Sequence, residues 1–149
     1  MSNNPKLVKQ IIVVRKDLLT REDNRMTVGK LAGQVAHAAM APILEMMRGV
    51  QYKDHLPVKG DDRIFLDMKE HSDIKSWLDT DFRKIILYVK TEEKLLSVYN
   101  QIREHGFIAS LIEDNALTIF NEPTITCFGV EPLESSIIDP LTKRLRLLD

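Results

Sequence analysis

The chain of 149 residues is 44% hydrophobic and carries a net charge of −1, which predicts a single globular domain over residues 1–149. Its one cysteine excludes an intramolecular disulfide, and the near-neutral charge argues against strong non-specific binding to a polyanion. Because no apolar stretch reaches the length of a membrane span and the first residues lack the order of a signal peptide, we expect a soluble, cytoplasmic protein with no membrane contact.

A buried strand followed by a long helix is predicted for the first third of the chain. The continuous β-branched run over residues 10–15 is typical of a strand with both faces buried. The polar residues 16–26 predict a loop, after which Thr27 can cap a helix because its side-chain oxygen accepts a hydrogen bond from a free backbone N–H group. We expect this helix to end near Arg48 and to bend at Pro42.

The rest of the chain predicts an exposed excursion, three strands and further helices. Residues 51–63 hold Pro57, Gly60 and several charges, which indicates the excursion, and residues 64–68 fit either a short strand or a helical turn. A short helix over 72–78 follows, which Ser72 is expected to cap. The remaining predicted elements are strands over 83–89, 108–112 and 125–130, a helix capped by Thr91 and ended by Gly106, a loop over 114–123, a short helix over 134–139, and a basic, apolar tail over 141–148 that packs back onto the sheet.

The alternation of strands and helices predicts an α/β fold. We expect a three-layer α-β-α arrangement around a mixed, mainly parallel four-stranded sheet. Ligands in such sheets bind beyond the carboxyl ends of the strands. Lys30 lies near the start of the long helix and Asp114 just after the third strand, so the two share an edge if the first and third strands are parallel neighbours.

A set of polar residues at this edge is the strongest candidate site. Lys30, Gln34 and His37 fall on one face of the predicted helix, and Asp114 and Thr118 lie on the loop. The helix N-terminus and Lys30 favour an anion or a developing oxyanion, while Asp114 can orient or deprotonate a water. Gln34 and Thr118 can hold that water or the scissile carbonyl. The set suits ester hydrolysis without a metal or a covalent intermediate, and the alternative is a Lys30–Asp114 salt bridge that only fixes a loop.

Other chemistries find little support. No glycine-rich phosphate loop follows the first strand, and the four histidines lack the spacing of metal ligands, so we predict no metal and no other cofactor. The charges are uneven along the chain: residues 104–142 contain no Lys or Arg, and three cations, Lys143, Arg144 and Arg146, follow them directly. Such clusters favour a nucleic acid only where the fold gathers them on one face.

Six blocks of the chain match a known family in the same order. They are residues 11–18 (IIVVRKDL), 29–39 (GKLAGQVAHAA), 84–87, 111–118, 126–132 and 138–148. Together they resemble the archaeal/eukaryotic-type peptidyl-tRNA hydrolase family, of which this chain is identified as a divergent member with an insertion. The resemblance covers nearly the whole chain outside residues 50–76.

The resemblance implies hydrolysis of the ester between a peptide, or an aminoacyl group, and the 3′ ribose of tRNA, which releases free tRNA. It implies peptidyl-tRNA or aminoacyl-tRNA as the partner, no tightly bound cofactor, and a homodimer. The residues it assigns to catalysis are Lys30, Gln34, Asp114 and Thr118. We expect the substrate to be contacted by Arg15, Lys16, His37, Thr126 and Lys143.

Two alternatives stay open at this point. The loop residues 115–119 differ from the pattern of the family, and a catalytically silent relative that binds a nucleotide or a phosphorylated small molecule would tolerate such a change. The insertion at residues 50–76 fits a protein-interaction module instead. Turnover distinguishes the hydrolase from both.

Overall fold

The computed structural model describes residues 6–49, 52–53, 56–57, 65–115 and 120–149. The strands in these ranges are β1 (Val8–Arg15), β2 (Tyr52–Lys53), β3 (Leu56–Pro57), β4 (Lys84–Val89), β5 (Ala109–Asp114), β6 (Thr124–Val130), β7 (Leu133–Glu134) and β8 (Arg146–Leu147). The helices are α1 (Asp17–Thr20), α2 (Val28–Gly49), α3 (Ser72–Leu78), α4 (Glu92–Glu104) and α5 (Ser135–Thr142). No helix in these ranges is long and apolar enough to cross a membrane.

The main sheet is mixed, as expected, but has six strands rather than four. Its order is β5-β6-β1-β4-β8, and β7 pairs with the start of β1. Among its described strands only β1 and β4 pair in parallel, so the expectation of a mainly parallel sheet is wrong. The connection between β5 and β6 contains no described helix to return the chain for a parallel pairing, and these strands are antiparallel. The two strands of this sheet that were not predicted, β7 and β8, have two residues each, which is too short for an alternation of apolar and polar side chains to be recognised.

Helices cover both faces of this sheet. Alternate residues of β1 explain the arrangement, because successive side chains point to opposite faces. Ile11 and Val13 belong to a cluster with residues of α4 and α5, whereas Ile12 and Val14 belong to a cluster with Ala38 of α2. Burial on both sides is why the strand reads as a continuous apolar run.

Of the four residues predicted to cap or end a helix, three are confirmed and one is wrong. The hydroxyls of Thr27 and Thr91 each accept a hydrogen bond from the backbone N–H three residues on, at 3.2 and 3.1 Å. Gly106 follows α4 with a φ of 88°, a conformation that glycine adopts without steric cost. Ser72 is instead the first residue of α3, and the cap is His71, whose side chain makes no capping hydrogen bond. The loop predicted over 16–26 also contains the single turn α1.

Part of the predicted insertion, residues 50–76, lies outside the described residues. Its end does not stand apart from the core. Ile74 and Trp77 of α3 are buried in one cluster with Val8 and Met46. Helix α3 therefore packs beneath the start of β1, at the opposite end of that strand from the candidate site.

Candidate active site

Lys30 and Asp114 form an ion pair. Lys30 is the third residue of α2. Asp114 was predicted to be the first residue of a loop, but it is the last residue of β5. The side chain of Asp114 is 7% exposed and that of Lys30 18% exposed. A carboxylate this buried depends on a close partner for its charge, and Lys30 supplies it.

Helix packing, not strand adjacency, brings these two residues together. Strand β5 runs in the direction of β1, so the two strands end at the same edge, but β6 lies between them and they are not neighbours. Helix α2 lies across β6 and β5 on one face of the sheet. Its first turn therefore reaches the carboxyl end of β5, where Asp114 lies.

Gln34 follows Lys30 by one turn and lies on the same side of α2. It is 6% exposed, and its Oε1 accepts a hydrogen bond of 2.6 Å from the hydroxyl of Thr126. The same hydroxyl lies 3.3 Å from the carbonyl oxygen of Ile112 on β5. Because Thr126 occupies the carbonyl oxygen of the Gln34 amide, the NH2 group of that amide is the part left to donate to a ligand.

A β-bulge directs Thr126 toward α2. Ile112 pairs with Cys127 and Glu113 pairs with Ile125, so Thr126 is an extra residue on β6. Side chains of successive strand residues normally point to opposite faces, yet both Thr126 and Cys127 contact Gln34. Bulges are known to redirect a side chain in this way.

Glycine and cysteine on β6 let α2 lie close to the sheet. A Cβ atom on Gly129 would lie 1.7 Å from the carbonyl oxygen of Ala38, so no side chain fits there. Cys127 is fully buried, and burial raises its pKa to about 11. Sequence reasoning missed the role of Gly129, although an isolated glycine inside a strand pattern is a known sign of close backbone approach.

Arg15 does not face this site. It follows Val13 by two residues on β1 and lies on the side of α4. Its guanidinium donates to both carboxylate oxygens of Asp17, at 3.2 and 2.8 Å, to Glu92 at 3.3 Å and to the carbonyl oxygen of Ile125 at 3.0 Å. These contacts tie the start of α4 and the start of β6 to the end of β1.

Three further predicted site residues, Lys16, His37 and Lys143, lie outside the Lys30–Asp114 ion pair. Lys16 contacts Asp149 at 2.6 Å and lies over the ring of Tyr88, and its pKa is raised chiefly by the hydrogen bond to Asp149. His37 is exposed on α2, whereas Gln34 is buried, and Lys143 is exposed at the end of α5. Thr118 lies in the segment 116–119, outside the described residues, so its predicted role stays a prediction.

Comparison with known proteins identifies one family. Residues 8–148 match the family described as Peptidyl-tRNA hydrolase PTH2. A protein of Sulfolobus acidocaldarius named Peptidyl-tRNA hydrolase is 36% identical over 131 residues, which cover 88% of this chain and 97% of that relative. Proteins of the same name from Methanopyrus kandleri and Metallosphaera sedula are 32% and 30% identical, each over 95% of this chain and at least 99% of their own length.

Proposed function

From the premise that this chain belongs to the peptidyl-tRNA hydrolase PTH2 family, we propose that it hydrolyses the ester between a peptide and the 3′ ribose of tRNA and so releases free tRNA. The match spans residues 8–148, and the chain covers almost the full length of relatives that carry this name. The observation that carries the proposal is the buried Lys30–Asp114 pair beside Gln34 at the start of α2. The substrate is peptidyl-tRNA or aminoacyl-tRNA.

Asp114 prepares the water that attacks the ester carbonyl. A carboxylate near the reacting centre orients a water molecule and accepts its proton as the new C–O bond forms. The ion pair with Lys30 holds this carboxylate in a fixed position at the start of α2, where the water can be placed. Thr118 is expected to help hold this water.

Lys30, Gln34 and the first N–H groups of α2 stabilise the oxyanion. The N-terminus of a helix presents backbone N–H groups that favour negative charge, and the ammonium group of Lys30 strengthens that field. The NH2 group of Gln34 can donate to the same oxygen, and Thr126 keeps the amide in the orientation that allows it. Collapse of the tetrahedral intermediate then breaks the bond to the ribose oxygen, which takes up the proton that Asp114 accepted from the water, and the tRNA is freed.

Outside the reacting centre, the expected substrate contacts are of two kinds. Lys16, His37 and Lys143 present partly or fully accessible side chains, which can meet phosphate or ribose. Arg15 is buried on the side of α4, and its contacts suit a structural role that ties β1 to α4 and β6 rather than a contact with the substrate. A translation-associated substrate supports a cytoplasmic location.

An apolar groove supports the expected homodimer. It has a volume of about 590 Å3, and Lys84 is the one polar residue among its described lining. Val28 and Met40, at its two ends on α2, are 83% and 52% exposed. Exposed apolar surfaces of this kind commonly form interfaces. Light scattering should give a dimer for the wild type and a monomer for Ala36→Glu at the centre of the groove.

The catalytic proposal is tested by release of free tRNA from purified peptidyl-tRNA. Asp114→Asn and Lys30→Met should each lower kcat by about 10²–10⁴-fold, the range for loss of a positioned acid or base. Lys9→Met is the matched control, because the Lys9 side chain is 20% exposed and also pairs with a carboxylate, that of Asp139. It should keep wild-type turnover.

The same variants separate catalysis from a purely structural ion pair. If the pair only fixes the end of β5, folded Asp114→Asn and Lys30→Met proteins will cleave peptidyl-tRNA at the wild-type rate, and the assignment fails. Absence of cleavage by folded wild-type protein would overturn the proposed function itself. Circular dichroism on every variant ensures that only folded protein is compared.

A further inference from the structure

A basic surface lies between the start of α4 and the C-terminal segment. It consists of Lys90, Lys94, Lys143, Arg144 and Arg146, which line two neighbouring concavities of about 500 and 270 Å3. Lys94 and Arg144 line both concavities, so the two form one continuous surface. The described residues that line them include no carboxylate.

The charges of this basic surface are not neutralised. Within the described ranges none of its five cations forms an ion pair. Seven other cations do pair with carboxylates: Lys6, Lys9, Arg15, Lys16, Lys30, Lys75 and Arg83. Two acids at its margin are already engaged, since Glu92 contacts Arg15 and Asp149 contacts Lys16. Glu93 in the first turn of α4 is exposed, but it does not line either concavity.

The basic surface and the candidate active site lie at the same edge of the sheet. Strands β1 and β4 are parallel and β5 runs in the same direction, so Lys90 and Asp114 both lie at carboxyl ends of strands. Within the sheet, three strand spacings separate β4 from β5, or about 14 Å at ~4.8 Å each, and because α4 lies on the face opposite α2 the path between the two sites also crosses this edge. A nucleic acid strand presents a phosphate every few ångströms, so an RNA whose 3′ end reaches Asp114 can extend its backbone to Lys90.

We propose that the basic surface binds the phosphate backbone of the same tRNA, a few nucleotides away from the ester. This inference rests on the proposed function, because it takes the position of the RNA 3′ end from the Lys30–Asp114 site. Exposed lysine and arginine side chains contact phosphates without reading the bases, which suits an enzyme that must accept many tRNA sequences. The chain is close to neutral overall, so this local excess of positive charge also orients the incoming RNA.

The test removes two cations that no part of the catalytic proposal uses. Lys94→Gln/Arg144→Gln is compared with Lys69→Gln/Lys75→Gln, which loses the same charge at exposed positions on and just before α3. For the first variant we expect KM for peptidyl-tRNA to rise on the order of tenfold at ~0.1 M salt, with kcat unchanged. The negative slope of log affinity against log salt concentration should become shallower by roughly 1.4 to 1.8, because two phosphate contacts are lost. The control should keep the wild-type KM and slope.

A minimal substrate separates this inference from the proposed function. The same ester carried by the 3′-terminal adenosine alone cannot reach the basic surface, so the wild type and Lys94→Gln/Arg144→Gln should cleave it equally. Failure of the wild type to cleave either substrate would overturn the proposed function. If the wild type cleaves both substrates and the double variant keeps the wild-type KM and salt slope, the basic surface is not an RNA contact. In that case, loss of binding to anionic lipid vesicles in the double variant would assign the basic surface to a membrane. An equal rise in KM for the control variant would also overturn it.

Discussion

Gly129→Ala tests whether the close approach of α2 to β6 builds the active site. The new Cβ atom would lie 1.7 Å from the carbonyl oxygen of Ala38, whereas an ordinary C···O contact needs about 3.3 Å. The helix and the sheet must therefore separate by roughly 1.5 Å, an overpacking that costs about 3 kcal/mol. A shift of this size along the 2.6 Å hydrogen bond between Thr126 and Gln34 would break it. Because a misplacement of about 1 Å can cost 10²-fold in rate, we expect hydrolysis to fall by about that factor.

Urea unfolding followed by circular dichroism measures the first effect, and single-turnover release of tRNA measures the second. Gly33→Ala is the matched control, since it places the same methyl group on an exposed position of α2 with no atom within 4 Å. That change should stabilise the protein by about 0.5–1 kcal/mol, because alanine replaces glycine inside a helix. The reasoning is refuted if Gly129→Ala unfolds at the wild-type urea concentration and retains the wild-type rate, or if Gly33→Ala destabilises the protein as strongly.

Three further predictions follow from contacts near the site and at the far end of the sheet. Thr126→Val should lower kcat about tenfold by releasing the Gln34 amide, and Thr126→Ser should restore it; equal rates in both variants would contradict the positioning role. Cys127 should resist alkylation at pH 8 in the folded protein and react in urea, since its pKa of about 11 keeps the buried thiol protonated; rapid labelling of the native state would contradict its burial. Burial raises the pKa of Glu131 above its ordinary value of 4.5, so the stability owed to this group is present below that value and is lost as the pH rises through the raised pKa. Glu131→Gln can still accept the hydrogen bond from the Ile108 N–H group and should therefore gain stability relative to the wild type as the pH rises above 4.5, as thermal unfolding at each pH would show.

Much of the fold could be predicted because its signals are local. The run at residues 10–15 and the caps Thr27 and Thr91 carry their own pattern, and each was found close to where it lies. Pairing partners are not local. Nothing in a single sequence states that β6 enters between β5 and β1, and the expectation of a mainly parallel sheet failed for that reason.

The candidate site shows the same division. Lys30 and Gln34 could be predicted to share a side of one helix because a turn separates them. Thr126 faces Gln34 because of a one-residue register shift on β6. Strict alternation along the strand would place the side chains of Thr126 and Cys127 on opposite faces, so the sequence alone does not predict this contact. Asp114 was correctly predicted to lie at the same edge as Lys30, but the two meet although β6 separates β5 from β1, because α2 extends over β6 to reach β5.

The central place of β6 has a consequence for synthesis on the ribosome. The strand that supplies Thr126 and Gly129 is among the last to be translated, yet it occupies the position between β1 and β5, which are made earlier. Until residue 130 is available, α2 lacks the strand that lies between β1 and β5 beneath it, and Thr126 cannot hold Gln34 beside the Lys30–Asp114 pair. A chain arrested before that point should therefore be inactive however much of its helix has formed, and activity should appear abruptly with the emergence of a single strand.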